Sequence, residues 1–326
     1  MLIVLTEYNS PMLKYPVIGL SPMDGVTDIV FRRIVDECSY PDVLYTEFVP
    51  VDGIILERPR LLKMLEFHKT KTPVFAQLFG NDPDNFYQVT KMLVNKGYAG
   101  IDINMGCPDE HVFKKGGGAA LILKPEVAKK IILAVRKSIA DNTDKKLMVT
   151  LKTRTGYDKA DTYNWISHLL EVSPDIITIH GRTFFQKYSG LADWEEIRTA
   201  VKLAKNTKTK IFGNGDIKNM EMAKKIIKDY GVDGVLIGRA SLGNPWIFGS
   251  HVSTQEEKLK MMIRHCELYN KYFPEGNFKS LRKHFIWYVK SLPSSSYLKN
   301  DLMKANNVDD VKKIVDLYTS FEKNST

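Results

Sequence analysis

From Tyr15 to about Ser250 the chain alternates short apolar, β-branched runs with amphipathic helical stretches, and no other feature restricts its fold as strongly. The runs Val17–Leu20, Val43–Glu47, Val74–Leu78, Ile101–Asn104, Leu147–Lys152, Ile176–His180, Lys210–Gly213 and Val235–Ile237 read as strands. Helical patterns follow nearly all of them, at Thr27–Glu37, Asp84–Asn95, Pro125–Ile139, Tyr163–Val172, Trp194–Ala204 and Met220–Tyr230. Strand then helix, repeated, predicts a parallel α/β fold. A doubly wound open sheet would place a Gly-rich phosphate turn after its first strand, where this sequence reads Pro22-Met23-Asp24-Gly25. The expectation is therefore a (β/α)8 TIM barrel. Such a barrel takes roughly 250 residues, and the chain has 326. After Phe248 the strand signal stops, and helices are expected around Glu256–Tyr272, Ser280–Ser291 and Asp309–Phe321, broken at Pro274-Glu275-Gly276 and Pro293-Ser294-Ser295-Ser296. The predicted organisation is a catalytic barrel over 1–250 followed by a small all-helical C-terminal domain over 251–326.

With 44% hydrophobic and 26% charged residues the composition is that of a folded globular protein. A net charge of +9 and a pI of about 9.1 favour a polyanionic partner, although a well-solvated lysine-rich surface would look the same. Cys38, Cys107 and Cys266 are widely separated, so neither a disulfide framework nor a metal site is expected. The run Leu2–Leu5 is too short for a signal-peptide core, and no stretch approaches the roughly 18 apolar residues of a membrane span. A cytoplasmic protein is expected, with no membrane association. The sequence carries no signal of assembly, and a monomer is the default.

In a barrel, residues at the C-terminal ends of the strands face the active site. Met23 and Asp24, Gln77, Asn104 and Cys107, Lys152 and Arg154, His180 and Arg182, Asn214, and Arg239 occupy such positions. Any one could be a satisfied strand-end polar group; all of them together suggest a site. Gly213-Asn214-Gly215-Asp216 and Gly238-Arg239 close the seventh and eighth strands, where many barrels bind phosphate. They combine approachable backbone amides with a fixed positive charge, and so point to a phosphate ester. Lys152 and His180 would bring a cation and a hydrogen-bond donor near the barrel axis, able to stabilise charge on a conjugated ring or enolate, while Lys152 could alternatively form a Schiff base. Cys107, in the tight turn Gly106-Cys107-Pro108, is the cysteine expected to do chemistry. Its thiol is mostly protonated at a free pKa of about 8.5 and can act as a general acid. Cys38 and Cys266 lie in amphipathic helices and read as small core residues.

These segments resemble the tRNA-dihydrouridine synthases. The matching stretches are SPMDGVTD (Ser21–Asp28), FAQLFG (Phe75–Gly80), DINMGCP (Asp102–Pro108) with KKGGGAAL (Lys114–Leu121), LKTRTGYD (Leu151–Asp158), IHGRT (Ile179–Thr183), GNGDI (Gly213–Ile217) and IGRASLGNPW (Ile237–Trp246). They run in the family's order across the barrel. The tail, with Leu281-Arg282-Lys283-His284-Phe285, is similar to the family's tRNA-facing helical domain, most like a bacterial B-type member. The resemblance implies FMN on the barrel axis, NADPH as reductant and a uridine in the D-loop region of tRNA as substrate. It further implies that Pro22 and Met23 line the isoalloxazine, that Gln77, Lys152 and His180 hydrogen-bond or charge-balance it, and that Asn214, Asp216, Gly238 and Arg239 hold the phosphate. Asn104, Arg154 and Tyr188 would grip the uracil, and Cys107 would donate a proton to C5 while hydride reaches C6. Arg282, Lys283 and Lys290, near Trp287 and Tyr288, are candidates for tRNA contact, or else a solvated helix face. Asp109-Glu110 after the cysteine turn departs from the expected neutral or basic pattern and should raise the thiol pKa. A small-molecule FMN reductase and a catalytically silent tRNA-binding barrel are the rivals.

Overall fold

The computed structural model describes residues Leu13–Ser325, so the run Leu2–Leu5 lies outside the described residues. The apolar runs form β1 (Val17–Leu20), β2 (Leu44–Tyr45), β3 (Val49–Pro50), β4 (Val74–Phe79), β5 (Gly100–Met105), β6 (Met148–Arg154), β7 (Ile176–His180), β8 (Lys210–Asn214) and β9 (Gly234–Ile237). All pair in parallel in the order β1-β9-β8-β7-β6-β5-β4-β2. β2 and β3 both pair with β4, Leu44 opposite Val74 and Val49 opposite Leu78, so they are two pieces of one barrel strand. The ladder breaks at Thr46 because its hydroxyl, not a main-chain carbonyl, accepts from Gln77 N at 2.9 Å. That side-chain substitution is why the run Val43–Glu47 does not continue as one strand. On the open side, Leu20 N donates to Val43 O and Asp42 N to Ile18 O, each at 3.0 Å, and these bonds close the ring. The result is a barrel of eight parallel strands, as expected.

Alternation along each strand turns every second residue inward. Val17, Tyr45, Phe75, Ile176, Phe212 and Leu236 thereby meet in a dry layer at the N-terminal end of the barrel, each side chain worth about 1.5–3 kcal/mol of burial. Further along the strands the inward positions include Gln77, Asp102 and Thr150, and towards the strand ends Asn104, Lys152, His180 and Asn214. The interior thus changes from apolar to polar towards the C-terminal mouth. Outer helices begin at sequence-encoded caps: Asp82 accepts from Asp84 N and Asn85 N, and Asp193 from Glu195 N and Glu196 N.

The chain divides into two compact units, one formed by the residues through Asp28 with Pro41–Gly238, the other by Ile29–Tyr40 with the residues from Arg239 on. The division precedes the break expected after Ser250. It also draws in the helix Ile29–Cys38, whose Val30 and Ile34 share a core with Leu259, Met262, Phe285 and Leu302. The second unit's long helix Gln255–Tyr272 starts at a capping box, Thr254 Oγ1 accepting from Glu257 N and Glu257 Oε2 from Thr254 N. The helix Ser295–Leu302 begins inside the break expected at Pro293–Ser296 and is held by buried Leu298 and Leu302 one turn apart. Two leucines and one exposed tyrosine in eight residues give too little periodicity to be read in advance. Among the described residues no helix is long and apolar enough to cross a membrane.

Candidate active site

The polar inner layer is a hydrogen-bonded chain that leads to Cys107. Asp102, fully buried on β5, accepts from Thr150 Oγ1 at 2.5 Å and Gln77 Nε2 at 2.6 Å. Gln77 Oε1 accepts from Asn104 Nδ2 at 3.0 Å, and Asn104 Oδ1 accepts from Gly106 N at 3.1 Å and Cys107 N at 2.9 Å. Asn104 therefore shapes the cysteine turn with one end of its amide and fixes itself to the barrel wall with the other. From the far side, Ala119 N donates to Cys107 O at 3.3 Å. Gly118 stands at φ +59 with its missing Cβ only 3.1 Å from Cys107 Cβ, a place that favours glycine. Only 7% of Cys107 is exposed.

Burial pushes the Cys107 thiol up to about 11. The Asp109 backbone opposes this by hydrogen bonding to the thiolate, the charges of Asp109 and Asp24 add to it, and Arg154 opposes it. The thiol is thus held in its protonated form at neutral pH. The acidic pair has structural partners: Asp109 caps the helix Glu110–Lys114 by accepting from His111 N and Val112 N, and Glu110 pairs with Lys187 Nζ at 3.4 Å. The expected upward push from Asp109 is present but smaller than that of burial.

Lys152 lies opposite Asn104 in the strand register. Burial, then the charge of Arg154, lowers it to about 8, with Asp102 and Cys107 acting in the opposite direction. Burial raises Asp102 to about 6, against its hydrogen bonds from Thr150 and Gln77 and the charge of Lys152. Near neutrality the site therefore couples a mostly ionised carboxylate to a cationic lysine. Asp102 was not singled out from the sequence; its signal is a carboxylate between Ile101 and Ile103 inside a strand.

Two buried arginines stand at the mouth. Arg154 donates through Nε to Gly106 O at 2.7 Å and through Nη1 to Thr183 O and Lys187 O, both at 2.9 Å, with its guanidinium 6.0 Å from the Tyr188 ring centroid. Arg182 is 2% exposed, meets both oxygens of Asp216 at 2.7 and 2.9 Å, and donates to Ser189 O, Gly190 O and His180 Nε2. Asp216 also accepts from Ala192 N at 2.8 Å, so its carboxylate holds the loop while its backbone is the part suited to an anion. Asn214 Nδ2 donates to Leu236 O at 2.7 Å. Gly215 sits at φ +130 against the His180 ring, and a Cβ at Gly238 would reach Met23 Sδ at 3.6 Å. Pro22 and Met23 are half-buried on the same rim.

The structure thus brings Gln77, Asn104, Cys107, Lys152 and Arg154 together by direct bonds or strand register, and His180 beside Asn214 by register. Tyr188 joins through Arg154 and is 61% exposed. Arg239 is exposed in the turn Arg239–Ser241, following Gly238 in the chain and opening the second unit. Within that unit Arg282 Nη2 donates to Ala305 O at 3.3 Å, Tyr288 is buried in the core, Lys283 is half-buried and Lys290 exposed. Cys266 lies in the helical core with Cys38 packed against it, and burial pushes both thiols up to about 12. Among the described residues no group of three or more His, Cys, Asp or Glu is placed to hold a metal ion.

The sequence model of the dihydrouridine synthase (Dus) family matches residues 19–324. A Staphylococcus aureus (strain COL) protein described as a probable tRNA-dihydrouridine synthase is 36% identical over 319 residues, covering 93% of each chain. Bacillus subtilis (strain 168) has a probable tRNA-dihydrouridine synthase 2 that is 32% identical over 321 residues, covering 96% of this chain and 97% of its own. A solved structure of morphinone reductase with tetrahydroNAD aligns over 71% of this chain and 85% of its own, with a TM-score of 0.45 and 10% identity.

Proposed function

The chain belongs to the dihydrouridine synthase family, and from that premise we propose that it is an FMN-dependent, NADPH-driven tRNA-dihydrouridine synthase that reduces the C5–C6 double bond of a uridine in the D-loop region of tRNA. The observation that carries this reading is a buried, protonated thiol held at the barrel mouth by Asn104, beside Lys152 and the Gln77–Asp102 pair. The residues fit the cofactor. Gly215 turns its loop at φ +130, tight against Ala192 and His180, a backbone form that favours glycine and leaves the loop amides for a ligand's phosphate, with Asn214, the Asp216 backbone and Arg239 as its partners. Pro22 and Met23 offer an apolar face to the ring system, and Gln77, Lys152 and His180 its polar edge.

The chemistry that FMN supplies when bound is hydride transfer to C6 of the uracil. Cys107 then gives its proton to C5. A thiol at about 11 is a weak acid, but an enolate-like carbon is a far stronger base than a thiolate, so the transfer runs downhill. Arg154 and Lys152 both interact favourably with the thiolate left behind, and Lys152 supplies positive potential where negative charge gathers on the base. Family membership favours this role for Lys152 over a Schiff base. Arg154, anchored on Gly106, and Tyr188 hold the uracil with Asn104. The base must be flipped out to reach this depth. Lys283 and Lys290 are the better candidates for tRNA phosphates in the helical unit, since Arg282 is committed to the carbonyl of Ala305.

The test is nucleoside mass spectrometry of an unmodified tRNA transcript incubated with the FMN-loaded protein and NADPH. One uridine gaining two hydrogens is expected. No gain, or equal reduction of free uridine without tRNA, would overturn the assignment, the latter in favour of a small-molecule reductase.

A further inference from the structure

We propose that the segment Thr183–Leu191 is a second nucleobase-binding surface, on which Phe185 stacks against a base flanking the one reduced in the site. The inference rests on the tRNA reading above and concerns how the RNA loop is held beside the reacting base.

The segment is rigidly supported from within the barrel. Arg154 donates to Thr183 O and Lys187 O, and Arg182 to Ser189 O and Gly190 O. Thr183 N donates to Gln186 Oε1 at 2.7 Å, Phe184 N to Gly156 O at 3.0 Å and Phe185 N to Tyr157 O at 3.2 Å. Two buried arginines thus spend four hydrogen bonds on a rim that carries outward-facing apolar groups. Phe185 and Tyr188 are each 61% exposed, and Leu191 is 83% exposed. Single exposed hydrophobes are ordinary, but three within seven residues on a fixed support mark a contact surface.

The surface is aromatic in a graded way. Phe113, Tyr157 and Phe184 form a stacked trio with centroids 4.5–5.4 Å apart and planes within 30°. Phe185 meets Tyr157 and Phe184 edge to face at 5.1 and 5.5 Å. Held by these two ring contacts, Phe185 still leaves 61% of its surface open, an area that suits a flat partner. The segment's own cation, Lys187, already has Glu110 as an ionic partner at 3.4 Å. Such a surface suits a nucleobase better than a phosphate. It is continuous with the cysteine turn, because Arg154 bonds to Gly106 O with the same guanidinium that holds the segment. Only a base near the flipped one in the chain can lie there, and only single-stranded RNA exposes its base faces in this way.

The experiment measures binding of an unmodified tRNA transcript to FMN-loaded protein by fluorescence anisotropy across a salt series, for wild type and for Phe185→Ala, Phe185→Leu and Phe185→Trp. Stacking lost to alanine should weaken binding about 5- to 150-fold, with the log–log salt slope unchanged because no phosphate contact is lost. Phe185→Trp should bind at least as tightly as wild type, and Phe185→Leu should resemble Phe185→Ala. Wild-type affinity in Phe185→Ala, rescue by leucine equal to that by tryptophan, or a slope reduced by about one unit would each overturn the stacking role. If wild-type protein neither binds nor reduces the transcript, the tRNA reading itself fails, which is a distinguishable result.

Discussion

Acidification from pH 7.5 to 5.5 should loosen the helical unit, because two neutral histidines are locked inside it. His265 and His284 are 1% and 3% exposed, with ring centroids 4.4 Å apart, against Phe31, Trp287 and Tyr288. Burial, then the charge of Lys283, lowers His265 to about 3; burial, then His265 and Lys283, holds His284 well below its ordinary range. A base whose folded pKa is depressed binds more protons when unfolded, so the stability it contributes is complete above about 6.5 and lost as pH falls below it. One unit below that value each histidine forfeits about 1.4 kcal/mol, so the pair forfeits roughly 2.5–3 kcal/mol at pH 5.5, with further loss towards pH 3. Asp102 works in the opposite direction in the barrel. Its folded pKa is raised to about 6, so the barrel gains from it as pH falls through that value, by about 1 kcal/mol at pH 5.5. A whole-protein melt would blur the two, so the assay is hydrogen exchange resolved by segment and corrected for intrinsic rates. Protection of Gln255–Tyr272 should fall about a hundredfold, and His265→Phe/His284→Phe should remove most of that dependence. Unchanged protection in wild type, or the same loss in the double variant, would refute the reasoning.

Two further outcomes follow from the site and the basic tail. Arg239→Ala should weaken FMN retention by roughly 1.5–3 kcal/mol, the usual worth of a charge-assisted bond to phosphate; equilibrium dialysis with FMN checks it, and unchanged affinity would place the phosphate elsewhere. Lys283→Glu should weaken tRNA binding and lower the log–log salt slope by about one unit per lost phosphate contact, whereas an unaltered slope would make Lys283 part of a solvated helix face.

Much of the barrel was legible because its signals are local. Val17–Leu20 and Ile176–His180 are strands over the residues expected, and Trp194–Ala204 and Met220–Tyr230 are helices over theirs. What was not legible depended on partners distant in sequence. The interruption of the second barrel strand comes from a bond between Thr46 and Gln77, and the helix Ser295–Leu302 depends on the core that Leu298 and Leu302 enter. The site behaved similarly. Cys107, Lys152 and Arg154 could be proposed from strand-end position, but Asp102 lies mid-strand between two isoleucines, and its place in the site depends on Gln77 and Thr150, which are distant in sequence. The bonds from Arg154 and Arg182 to the segment after β7 join residues up to 33 positions apart and have no sequence pattern of their own.

The most direct test of the account is single-turnover reduction of an unmodified tRNA transcript by protein loaded with FMN and pre-reduced, comparing wild type with Cys107→Ala and with Cys266→Ala. The thiol of Cys107 is buried and protonated beside Lys152, while Cys266 is packed in the helical core. Cys107→Ala should slow dihydrouridine formation by roughly 10²–10⁴-fold, the loss expected for a positioned general acid, and Cys266→Ala should react at the wild-type rate once folded. Reaction of Cys107→Ala at the wild-type rate would contradict the assignment of the proton to this residue.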